Sequence, residues 1–161
     1  AHRDRRASPT RGSSVLAPSG KFLKLATFGD RALAADYFER CMRIPGAPEF
    51  VERLRANAIF RKGDLQTSWE TWLDIFKRAA DERTRKIASN HLYNVKAAID
   101  GAALGAAIQA FRERFGRLPG DLAALVRAGL LEAVPRDLDG NDYVYDPQTG
   151  KVKTVIIPWR R

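Results

Sequence analysis

Residues 115–119 read F-G-R-L-P, 128–137 read A-G-L-L-E-A-V-P-R-D and 141–150 read N-D-Y-V-Y-D-P-Q-T-G, and this ordered run decides how the chain folds at its end. Proline at a first helical position loses no hydrogen bond and already has a helical φ, so Leu118-Pro119 is expected to start a short helix. Leu122, Leu125 and Val126 then share one face, and Gly129 follows where a left-handed residue past the helix is commonly glycine, so the helix is expected to stop at Ala128 or Gly129. Leu130-Leu131 and Val134-Pro135 read as an extended apolar connection, and Asp137, Asp139, Gly140 and Asn141 supply turn chemistry. Tyr143-Val144-Tyr145 and Lys151-Val152-Lys153-Thr154 alternate around Asp146 to Gly150, which predicts a β-hairpin.

Upstream the period changes from two to that of a helix. Ala103, Ala107 and Phe111 repeat every fourth residue beside Leu104, Ile108 and Phe115, which predicts a long helix from about Asp100 to Phe115. Gly101, Gly105 and the alanines would let another helix approach it closely. Asp81 to Ala98 reads as a separate helix with Ile87, His91, Leu92 and Val95 inward, and its acids Asp81-Glu82 beside Arg78, Arg83, Arg85 and Lys86 as a solvated, paired face. With Gly63 at a turn between helices, Ala56 and Ile59 fall on one helix and Ser68, Trp72 and Ile75 on the next. Before Pro45 to Pro48 a helix opening near Ser19, with a break at Gly29, carries Phe22, Leu25, Ala26, Leu33, Asp36, Tyr37 and Met42 near one stripe. The helical part, ending at Arg136, is expected to keep its structure without the hairpin.

With 161 residues, a hydrophobic fraction of 45% and three tryptophans, the chain is long enough to bury a real core as one domain. The single cysteine, Cys41, excludes an internal disulfide framework and a cysteine-rich zinc site, and its amphipathic setting predicts a buried thiol. The net charge of +9 belongs to the ends. Arg3, Arg5, Arg6 and Arg11 against Asp4 give residues 1–12 a charge of +3, and Lys151, Lys153, Arg160 and Arg161 give residues 151–161 a charge of +4, leaving +2 between. Basic tails suit acidic protein surfaces, anionic lipid headgroups or nucleic acid alike. The first residues, rich in Arg, Ser, Pro and Gly, have the composition of an extended arm. No stretch approaches the roughly 18 apolar residues that span a bilayer, and no secretory apolar region opens the chain. A start at Ala1 fits a processed chain, a trimmed one or one whose anchor has been removed, so membrane association stays open.

The C-terminal run resembles a segment found in bacterial tetratricopeptide-repeat proteins of the cell envelope and, more distantly, the soluble end of type II secretion major pseudopilins. It covers about the last third of the chain. The segment S-G-K-F-L-K-L-A-T-F-G-D-R-A-L-A-A-D-Y-F, with Phe22, Gly29 and Ala35-Asp36, resembles the stretch that precedes the repeats in the same family. Between them the resemblance implies one degenerate repeat, in which Ala56 and Ser68 take the small positions where helices cross and Trp72 the large one. Glu52 stands where the family has tryptophan, Arg55 where it has leucine and Ala80 where it has proline, which puts a peptide-binding groove in doubt. The family also implies that the helix before F-G-R-L-P is an assembly face, although packing on the chain's own helices accounts for it as well.

Chemistry is sparse. His2 and His91 with a lone cysteine make no metal site at known spacing, and no Walker A, Rossmann, nucleophile-elbow or H-E-x-x-H pattern occurs. Asp137 to Asp142 superficially resembles the start of a calcium loop, but Asp142 stands where an EF-hand needs glycine and Gln148 where it needs glutamate. Trp69 and Trp72, three residues apart, share a helix face, one fit for the core and the other for a contact anchor.

The expected fold is therefore mainly α: a short, degenerate repeat-like helical array with a small C-terminal β-hairpin, divided into an arm (1–18), a helical domain (19–135) and a hairpin with a basic tail (136–161). The expected function is a non-catalytic interaction or scaffold module, an accessory subunit of a larger complex in the bacterial envelope, extracytoplasmic or membrane-associated. Arg3, Arg5, Arg6, Arg11 and Trp69 are the candidate partner-binding residues. Protein subunits and anionic lipid headgroups are the expected partners, with no catalytic residue, cofactor, metal or small-molecule substrate. The alternative is a nucleic-acid-binding module using the basic termini, disfavoured by the near-neutral body and by the lack of aromatic residues interleaved with the charge.

Overall fold

The computed structural model describes residues 31–46 and 48–156. Helices α1 (Arg31–Met42), α2 (Glu49–Lys62), α3 (Leu65–Arg78), α4 (Glu82–Phe115) and α5 (Ala123–Arg127) precede strands β1 (Val144–Asp146) and β2 (Lys151–Lys153). Helices α1 to α4 pack in chain order, each on the next, and the far end of α4 receives α5 and β2. The protein is thus mainly helical with a small antiparallel hairpin at its C-terminal end.

Local chemistry sets the boundaries. Helix α2 ends at Gly63, and Asp64 caps α3 by accepting from the Thr67 backbone N–H at 3.1 Å, a bond that lowers its own pKa. Asp81 does the same for α4 through the Thr84 N–H at 2.8 Å, so on this exposed face it acts as a cap and forms no ion pair among the described residues. Arg78 turns instead to Asp74 and Glu52, at 2.8 and 2.6 Å, and Glu52 thereby ties α2 to the last turn of α3. Across the α2–α3 turn Ala56, Ile59, Ser68, Trp72 and Ile75 are all buried as their spacing predicts. The Ser68 hydroxyl donates to the Ala56 carbonyl at 3.4 Å where the two helices meet.

Several expectations are corrected. Cys41, expected buried, is only half-buried; α1 packs through Phe38 and Cys41 against Val51, Leu54 and Ala58 and leaves the shared face of Leu33, Asp36, Tyr37 and Met42 outward. The two helices expected on either side of Ile99 are one, α4, 34 residues and about 50 Å long. A lone glycine costs a helix only about 1 kcal/mol, and Gly101 is flanked by packed turns, Leu92 and Val95 before it and Leu104 after it. Among the described residues no helix approaches Gly101 or Gly105, where a Cβ would meet open space. Helix α5 starts at Ala123 and not at Pro119, because Asp121 accepts from the Ala124 N–H at 2.7 Å and sets the cap there. Pro119 is fully buried, and its carbonyl accepts from the Tyr145 hydroxyl at 2.8 Å.

The terminal core contains Leu104, Ala107, Ile108 and Phe111 of α4, Leu122 and Leu125 of the α5 segment, and Tyr143 before β1. Strand pairing aligns Val144 with Lys153, Tyr145 with Val152 and Asp146 with Lys151. Gly150, at φ 71°, lies against Leu118 and Ile108, so the hairpin turn sits directly on this core. The hairpin and the end of α4 are buried together in one core.

Candidate functional site

Two long-range pairs of buried polar groups fix the C-terminal segment on α4. The Tyr93 hydroxyl donates to Asp137 Oδ2 and the Tyr143 hydroxyl to Asp100 Oδ2, each at 2.6 Å. Lys96, one turn from Asp100, forms an ion pair with it and also donates to the Arg136 carbonyl at 3.1 Å. Burial, with the carboxylate partner, pushes Tyr93 up to about 12 and Tyr143 further up. Both therefore stay protonated donors at neutral pH.

The Asp137 to Asn141 turn is closed by the same carboxylate. Asp137 Oδ1 accepts from the backbone N–H groups of Asp139 and Asn141 at 3.0 and 2.8 Å, and the Asn141 side-chain amide reaches both oxygens. Burial pushes the Asp137 pKa up, but the bonds from Tyr93, Asn141 and Asp139 outweigh it and hold the carboxyl below its ordinary value. The turn uses this carboxylate as a structural acceptor. Among the described residues no group of three or more His, Cys, Asp and Glu side chains is arranged to hold a metal ion.

The tryptophans divide as their spacing predicts. Trp72 is 1% exposed in the central core, whereas Trp69 is half-buried at its edge. His91 of α4 stacks on Trp72 with ring centroids 3.8 Å apart and planes 6° from parallel, and burial lowers its pKa to about 4. Trp72 Nε1 is buried with no hydrogen-bond partner. Arg3, Arg5, Arg6 and Arg11 lie outside the described residues, so Trp69 alone of the expected contact residues is placed.

Two exposed features stand apart from these residues. Leu33, Tyr37, Met42, Ile44 and Phe50 are large apolar side chains exposed along α1, the following turn and the start of α2. At the end of α4, Phe111 and Phe115 pack ring to ring at 4.5 Å, Arg114 lies over the Phe115 ring at 5.2 Å and Arg117 over the Phe111 ring at 5.9 Å. The pattern F-R-E-R-F-G-R at 111–117 interleaves aromatic and basic residues in the sequence itself, which corrects the expected lack of such interleaving. No described helix is long and apolar enough to cross a membrane.

Comparison with protein-family models, curated proteins and solved structures finds no match to this chain.

Proposed function

We propose that the chain is a non-catalytic helical interaction module, an accessory or assembly subunit of a larger membrane-associated bacterial complex. The observation that carries this reading is the set of five large apolar side chains exposed between Leu33 and Phe50 on the α1–α2 hairpin. Clustered exposed apolar residues mark contact surfaces far more often than isolated ones do. The half-buried Trp69 on α3 adds an amphipathic anchor of the kind that concentrates interface energy.

The buried Tyr93–Asp137 and Tyr143–Asp100 pairs support a structural reading of those groups, because each carboxylate already accepts from a tyrosine and from further donors. The α2–α3 hairpin, with Ala56 against Ser68 and Trp72 beneath, supports a repeat-like array. Envelope localisation and a pilus- or secretion-type complex rest on the resemblance of the C-terminal run.

Replacing Tyr37 and Phe50 together by serine tests the surface. Both rings are exposed, so the melting temperature should stay within a few degrees of the parent while co-purification with partner subunits falls at least tenfold. Retention of the same subunits at the same stoichiometry would move the contact elsewhere.

A further inference from the structure

We infer that the C-terminal end of α4 is a docking surface for anionic lipid headgroups, with Phe115 as the ring that enters the interface and Arg112, Arg114 and Arg117 as the headgroup-binding cations. The inference rests on the membrane-associated part of the proposed function but assigns it to residues other than the basic arm. Phe115 is 45% exposed although it packs on the buried Phe111. Arg112 lies one turn before Phe115 on the same face, and Arg114 and Arg117 stack on the two rings. None of the three arginines forms an ion pair among the described residues, although Arg114 donates to the Ala128 carbonyl at 3.2 Å, whereas the nearby Arg127 is held by Asp121 and the local acid Glu113 is engaged by Gln109.

Charge and shape select the partner. Favourable charge at a helix C-terminus accounts for basic residues in the last turn, but not for an exposed phenylalanine among them or for Arg117 beyond it. Gly116 ends the helix with open space where a Cβ would stand, and Arg112, Arg114, Phe115 and Arg117 are all exposed around it. Single-stranded nucleic acid is held by successive exposed rings along a groove, and here only Phe115 is offered because Phe111 is 5% exposed. A lipid surface yields to a single exposed ring, while guanidinium groups pair with its phosphates.

The test uses the full chain with vesicles of phosphatidylglycerol and phosphatidylcholine in equal parts, and of phosphatidylcholine alone. Binding to the anionic vesicles should fall by roughly fivefold for each of Arg112→Gln, Arg114→Gln and Arg117→Gln, and several-fold for Phe115→Ala. The combined Arg3, Arg5, Arg6 and Arg11→Gln variant should retain the dependence on Phe115. Equal binding to both vesicle types, or anionic binding unchanged in the triple arginine variant, overturns the inference. So does a triple variant that loses melting temperature or oligonucleotide binding but keeps vesicle binding. Co-purification with partner subunits is scored separately: its loss with vesicle binding intact in the tip variants defeats the lipid surface but not the interaction module, and absence of any partner with vesicle binding as expected does the reverse.

Discussion

The Tyr93 hydroxyl reaches Asp137 Oδ2 at 2.6 Å across 44 residues of sequence, joining the middle of α4 to the turn that opens the C-terminal segment. Tyr143 and Asp100 repeat the arrangement in the opposite sense, tyrosine on the C-terminal segment and carboxylate on the helix. Hydrogen bonds to a buried charged acceptor are worth about 1.5–3 kcal/mol each. Tyr143→Phe should therefore cost about 2 kcal/mol, since it leaves Asp100 with Lys96. Tyr93→Phe should cost about half of that, because Asp137 keeps its donors from Asp139 and Asn141. Urea unfolding with an unchanged slope measures both; equal and negligible effects would show that the pairs do not hold the segment.

Acid stability should report on His91. Its folded pKa of about 4 lies below its ordinary value of 6.5, because burial against Trp72 disfavours the charged ring. The unfolded chain takes a proton first as pH falls, so the contribution is fully present above pH 6.5 and is lost as pH falls from 6.5 through about 4. His91→Phe should flatten that part of a melting-temperature profile while retaining the stack. A profile with the same slope in the variant would assign the effect to other groups.

Trp72 and Trp69 should separate stability from association. Trp72→Ala opens a cavity in the central core and should cost about 3–5 kcal/mol, whereas the half-buried Trp69 should cost less. Trp72→Phe should be milder than its volume change implies, because it also removes the unpartnered Nε1–H. Trp69→Ala should weaken association with partner subunits while leaving the melting temperature nearly intact. Equal destabilisation by both alanine variants, with association untouched, would make both rings core.

At Gly150 backbone and packing act together. Its φ of 71° is a region that side-chain-bearing residues rarely adopt, and an added Cβ would stand 3.1 Å from Leu118 Cδ2. Gly150→Ala should cost about 1–2 kcal/mol from the backbone alone and loosen the hairpin, measurable as faster amide exchange in β1 and β2. Unchanged exchange and stability would show that the turn relaxes freely.

The sequence made the hairpin legible because strict alternation on both sides of Asp146 to Gly150 leaves one pairing register. The α2–α3 pair was legible because a small residue on each helix, Ala56 and Ser68, flanks a turn glycine. What escaped was long-range. Asp100 reads as a helix start, but it is a buried acceptor inside a continuous helix, and only the fold brings Tyr143 to it. The Leu33–Tyr37–Met42 stripe was legible as a shared face, but helical spacing does not say which face is covered, and this one is exposed. Spacing placed Trp69 and Trp72 on one helix face and Phe115 on the stripe of a long helix, but not the exposure of Phe115 at its end.

Purification of the tagged chain from detergent-solubilised membranes of the cell that makes it, followed by subunit stoichiometry, tests the central claim most directly. The account predicts a fixed ratio to a reproducible set of membrane-complex subunits, reduced at least tenfold by Trp69→Ala or by Tyr37 and Phe50→Ser in chains that still melt normally. Elution of the parent chain alone, or with nucleic acid and no protein subunit, would contradict it.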